Sequence, residues 1–204
     1  MTRAVLVVAA VLALGAGASA QRLPSGTTPD NYKLKFTPDL VKATFAAEAS
    51  IRVKLGAATT TIVLNAAEIE FQKVTVTANG ITQTATVILD DKKEQASFTV
   101  ASRMPAGTAL IRASYTGILN SDLRGFYLSQ TKRRRYAVTQ FEATDARRAF
   151  PSFDEPAAKA TYDITLVIDK GDTAISNSSI LSDTPGPGTC PRIAHSAALA
   201  AAVR

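Results

Sequence analysis

Apolar and polar residues alternate with a period of two along most of the chain from Asn31 onward, the pattern of strands with one buried face. Tyr32-Lys33-Leu34-Lys35-Phe36 alternates until Pro38-Asp39 ends the run, and Ile51-Arg52-Val53-Lys54-Leu55 closes a second run that begins at Phe45. Thr59 to Leu64 is short and β-branched. Val74 to Ala78 and Ile81 to Leu89 flank Asn79-Gly80. That dipeptide predicts a tight hairpin, because both turn positions take positive φ. Asp90 to Lys93 reads as a further turn, followed by strands over Gln95 to Val100, Ala109 to Tyr115 and Tyr162 to Ile168. The spacing predicts about ten short strands in an all-β domain, a multi-stranded and mostly antiparallel sandwich or saddle. No amphipathic helix is predicted, and Ala143 to Lys159, which lacks alternation, reads as turns and loop.

Composition narrows the chemistry. The chain has 204 residues, 46% hydrophobic and 20% charged, with one histidine and one cysteine. It can bury about 70% of its unfolded surface without a staple. An H-E-x-x-H zinc site needs two histidines. A disulfide framework or zinc finger needs several cysteines. All three are excluded within this chain. The formal charge of +6 is scattered, and only Lys132-Arg133-Arg134-Arg135 is dense. No aromatic interleaving accompanies that run, so a solvated turn is preferred to a nucleic-acid site or an acidic-surface site.

Residues 1–20 read as an export signal: Arg3, an apolar stretch from Ala4 to Leu14, then Ala18-Ser19-Ala20 as a small-residue cleavage site. The stretch is shorter than the ~20 residues a spanning helix needs, and no later segment is apolar over that length. The expectation is a mature protein from Gln21 with no membrane span, in a periplasm or outside the cell.

The run from Thr139 to Pro156, TQFEATDARRAFPSFDEP, resembles the signature of the N-terminal domain of aminopeptidase N-type zinc peptidases. Supporting segments stand in the same order: Arg22-Leu23-Pro24, Leu64-Asn65-Ala66, Tyr115-Thr116-Gly117, Gly125 to Ser129, Lys159 to Tyr162, and Ala174 to Asn177. The resemblance implies a saddle-shaped β-domain that packs on a separate zinc domain and lends one loop to its cleft. It implies that Glu142 contacts the substrate's α-amine, which a carboxylate does through a charge-assisted hydrogen bond. It places Gln140 beside it, at the pocket for the first side chain. In an extended segment these two would share a face while Phe141 turned into the core. An alternative pairs Glu142 with Arg147 or Arg148. Asp145, Arg147, Arg148, Asp154 and Glu155 are expected to form a charge network that holds the loop.

The domain is expected to run over 21–188, with 189–204 an atypical, disordered or marginally helical tail carrying Cys190 and His195. The tail lacks strand alternation and reads as a frameshift product or gene end. None of the family's G-x-M-E-N, H-E-x-x-H or further glutamate elements is present, so neither a catalytic residue nor a metal ligand is assigned in this chain. Zinc would belong to the catalytic domain of the family. The expected partners are peptide N-termini and a zinc-peptidase domain, and not nucleic acid. Without that domain, no catalysis is expected. The other readings are a free-standing exported β-module that binds peptide or protein surfaces, and an adhesion module without a ligand.

Overall fold

The computed structural model describes residues 22–186 and 192–198. The expected signal peptide, residues 1–20, and Cys190 lie outside them. The strands are β1 (Thr27–Asp39), β2 (Thr44–Leu55), β3 (Thr59–Asn65), β4 (Ile69–Ala78), β5 (Ile81–Thr84), β6 (Thr86–Asp90), β7 (Gln95–Met104), β8 (Gly107–Ile118), β9 (Gly125–Gln130), β10 (Arg135–Gln140), β11 (Thr161–Ile168), β12 (Ile180–Pro185) and β13 (Arg192–Ala198). Among the described residues the helical content is one 3-10 turn, Ala146–Arg148. The domain is all-β, as the alternation predicts.

An eight-stranded sheet runs in the order β12-β13-β11-β1-β2-β8-β4-β5, beside a three-stranded sheet β3-β7-β6 and the β9-β10 hairpin. The pairings between strands are antiparallel except β1 with β11, which is parallel in the register Asn31↔Thr161 through Phe36↔Leu166. Period two translates directly into burial: along β2, Phe45, Ala47, Ala49, Ile51, Val53 and Leu55 are buried, and Ala46, Glu48, Arg52 and Lys54 are exposed. The opposed faces of the two sheets join one core, in which Phe71 of β4 meets Phe98 of β7 at 5.3 Å between ring centres, edge to face at 81°.

Alternation does not mark β9, β10 and β12, and two further segments differ from the sequence expectation. Ile81 to Leu89 forms two strands, because the chain leaves the large sheet at the buried Ala85, whose N–H donates to the Val74 carbonyl at 2.9 Å, and enters the small sheet as β6. The turn before it is as expected, with φ of 48° at Asn79 and 77° at Gly80. Residues 192–198, expected within an irregular tail, form β13 between β11 and β12. Alternation fails to mark β13 because its residues include Ala194, Ser196, Ala197 and Ala198, which offer little polar contrast; main-chain pairing on both sides holds it.

Candidate functional site

The site grows from the end of β10. Its hairpin partner β9 inserts Phe126 against Phe36 at 5.5 Å and Phe45 at 5.1 Å. The last ladder pair is Gln140↔Gly125. Beyond it the backbone turns, closed by the Asp145 N–H donating to the Phe141 carbonyl at 3.0 Å. Phe141 is half-buried and meets Phe150 edge to face at 5.8 Å. Phe150 in turn packs on Tyr32 at 5.7 Å. Gln140 and Glu142 are both exposed, one on each side of this aromatic anchor. The expected split, with Phe141 inward and its neighbours outward, is present, although Glu142 lies in a turn and not in an extended strand.

The following segment is fixed to the sheets from several sides. Asn65 and Ser152 exchange both backbone hydrogen bonds, at 2.8 and 2.9 Å, and the Ala67 N–H donates to the Arg147 carbonyl at 3.0 Å. The Tyr115 hydroxyl donates to the Ala149 carbonyl at 3.1 Å, and the Phe153 N–H donates to the Tyr32 hydroxyl at 3.0 Å. Burial raises the pKa of both hydroxyls above the ordinary tyrosine value. Gly125 belongs here for two reasons: its φ is +67°, and a Cβ on it would lie 2.7 Å from the Cβ of Arg148.

The charges of the loop separate into two groups. Arg148, with 8% of its side chain exposed, donates to Asp145 at 2.8 Å, to Glu94 at 2.6 Å and to Glu68. Burial opposes its charge, and the three carboxylates outweigh burial and raise its pKa. Arg147 donates to Asp154 at 3.0 Å and to Glu94 at 3.2 Å, so Glu94 bridges the two arginines. Burial pushes the Asp154 carboxyl above the usual carboxylate range despite its Arg147 partner. Glu155 was expected in this network, but instead it accepts the Leu23 N–H at 2.8 Å and straps the start of the chain to the loop. Glu142 enters none of these pairs, nor any other ion pair among the described residues. The alternative in which Arg147 or Arg148 neutralises Glu142 therefore fails.

Sequence reading missed Glu68 and Glu94, which lie far from the arginines in the chain. Both hold positive φ, 58° and 50°, a conformation uncommon outside glycine. That strain is tolerated where surrounding contacts over-determine it, as the arginine bonds do here.

A shallow groove of about 500 Å³ is lined by Thr44, Glu68, Ile69, Glu70 and Ile118 among others, and neither Gln140 nor Glu142 borders it. Among the described residues, no three His, Cys, Asp or Glu side chains converge to hold a metal.

Comparison with known proteins gives the context for this loop. Residues 28–188 match the Peptidase M1 N-terminal domain. The chain is 36% identical over 166 residues to Aminopeptidase M1-D of Oryza sativa subsp. japonica, covering 79% of this chain and 19% of that protein. It is 34% identical over 171 residues to Aminopeptidase M1 of Arabidopsis thaliana, covering 79% and 20%. Puromycin-sensitive aminopeptidase of Caenorhabditis elegans gives 35% over 172 residues, covering 81% and 18%. The chain thus spans about a fifth of the length of these relatives, and it belongs to the M1 aminopeptidase family as that family's N-terminal domain.

Proposed function

We propose that this domain is the amine-reading part of an exported zinc aminopeptidase. In this reading the Glu142 carboxylate accepts charge-assisted hydrogen bonds from the protonated α-amine of a peptide. Gln140, whose amide both donates and accepts, orients the first residue without adding charge. The metal and the water it activates belong to a zinc-peptidase domain against which this one packs, and this chain supplies recognition alone. One observation carries the assignment: of the six charged side chains from Glu142 to Glu155, five are committed to the fold, and Glu142 alone is exposed and unpaired. A scaffold has no use for a single carboxylate kept apart from two neighbouring arginines, whereas a receptor for an ammonium group requires one. Reading a free peptide end also explains why Glu142 is seated on an anchor, Phe141 on Phe150, since recognition needs a fixed geometry.

Glu142→Gln in the complete enzyme tests this. The expected result is a loss of kcat/KM on the order of a hundredfold for substrates with a free α-amine, the scale of losing one partner of a buried charged pair, with the melting temperature unchanged. Unaltered kinetics would remove Glu142 from the site. Export is tested separately by sequencing the N-terminus of the secreted protein, which should begin at Gln21; an intact Met1 would overturn cleavage.

A further inference from the structure

The tip of the β9-β10 hairpin lies six residues along the strand from Gln140, and its chemistry is different. From Gly125 to Gln140 the sequence carries four cations, Lys132, Arg133, Arg134 and Arg135, and no carboxylate. The tip is ordered by its own hydrogen bonds. The Thr131 hydroxyl oxygen accepts the N–H groups of Arg133 at 3.2 Å and Arg134 at 3.0 Å, and the Thr131 N–H donates to the Arg134 carbonyl at 2.8 Å. Arg135 braces the tip against the β1-β2 turn, donating through Nη1 to the Leu40 carbonyl at 3.0 Å and the Val41 carbonyl at 3.1 Å. That bond places Val41, which is 85% exposed, beside Arg135 at the end of the basic run. The nearest carboxylate of the turn, Asp39, is already engaged by Lys42 and by the backbone N–H groups of Val41 and Lys42. Lys132, Arg133 and Arg134 are exposed and form no ion pair among the described residues.

A solvated turn explains exposed cations. It does not explain why the fourth cation, Arg135, clamps the tip to the backbone of a turn that carries a protruding aliphatic residue. Three unpaired cations on a tip braced against an exposed valine match a membrane interface. There, basic side chains meet lipid phosphates and a small apolar group enters the acyl boundary. An acidic protein would use the charge but not the valine, and a nucleic acid would want ring faces between the cations. We propose that the tip formed by Lys132, Arg133 and Arg134, with Val41 of the turn it is braced against, is a docking surface for an anionic lipid membrane. Docked by this tip, the domain holds the Gln140 end of the hairpin away from the bilayer.

The test is sedimentation of the purified chain with phosphatidylglycerol-rich vesicles and with pure phosphatidylcholine vesicles, at low and high salt. Each basic side chain near such a surface strengthens binding about fivefold, so removing three weakens it on the order of a hundredfold. The expected result is salt-sensitive binding to the anionic vesicles alone, lost to that extent in the triple variant Lys132→Gln, Arg133→Gln, Arg134→Gln. An unchanged melting temperature serves as the folding control, since these side chains hold nothing. Val41→Ser should weaken binding severalfold at both salt concentrations, because its contribution is not screened. Absence of binding by the unaltered chain, equal binding by the triple variant, or equal binding to phosphatidylcholine would overturn the proposal. Tighter binding to a single-stranded DNA oligonucleotide than to the anionic vesicles would reassign the run to nucleic acid and overturn it as well.

Discussion

Arg148 shows how much of the loop depends on one side chain. It joins β4's approach through Glu68, the β6-β7 turn through Glu94, and its own 3-10 turn through Asp145. Removing one partner of a buried ion pair costs about 3–5 kcal/mol, because the remaining charges are stranded. Arg148→Ala is accordingly expected to lower stability by about that amount, as read by denaturant unfolding; a change within the range of ordinary surface substitutions would show that the network contributes little. Glu142→Ala should leave the same curve in place. The two arginine partners close in sequence, Asp145 and Asp154, were legible from the chain alone. Glu68 and Glu94 were not: no residue pattern reports a partner on another element, and their positive φ has no signature in a glutamate. Glu142 was legible only through the family signature, since a lone exposed carboxylate looks like any other.

At the scale of elements, legibility followed burial. Strands with one face in the core, such as β2, β4, β7 and β8, announce themselves by alternation. The hairpin strand β10 does not, because its residues are half-buried or exposed throughout, and β12 is exposed along its whole length. What joins the legible strands to the illegible loop is a set of tyrosines. Tyr32 and Tyr115 bond loop backbone, and Tyr162 stacks on Tyr32 at 4.9 Å. Burial raises all three, Tyr162 to about 12 from 10.0. A group whose folded pKa is raised contributes stability below its unfolded value and loses it as pH rises through the folded value. The contribution of Tyr162 is therefore complete below about pH 10 and declines towards pH 12. Of the five tyrosines, these three should stay protonated until the domain unfolds in alkali, with tyrosinate absorbance rising together with the loss of the β-sheet circular dichroism signal. Ionisation of all five in a folded protein would contradict the packing described.

At the scale of the whole molecule, the chain is the N-terminal domain of an M1 aminopeptidase, and in the proposed reading it supplies recognition while hydrolysis belongs to a separate zinc domain. The purified chain is expected to release no amino acid from aminoacyl-anilide substrates, with or without added zinc; zinc-dependent turnover would overturn that assignment. Burial falls off toward one end of the large sheet. Strands β2 and β8 are buried on their inner face, β11 is half-buried from Tyr162 to Ile168, and Ile180 and Leu181 of β12 are 51% and 63% exposed.

The parallel pairing of β1 with β11 has a consequence for how the chain reaches this state. The first strand finds β2 within a few residues, but its other edge waits for Thr161, which accepts from Asn31 Nδ2 at 2.9 Å across 130 positions. At a synthesis rate of roughly 5–20 residues per second, that edge stands open for on the order of ten seconds while the intervening chain is made. Contacts of such long range also slow folding once synthesis ends, because loop closure precedes any gain from the pairing. During that interval Tyr32, Leu34 and Phe36 have β2 beside them but not β11. Chaperone protection is therefore needed earliest at β1, which is made first and gains its second neighbour only once β11 is made.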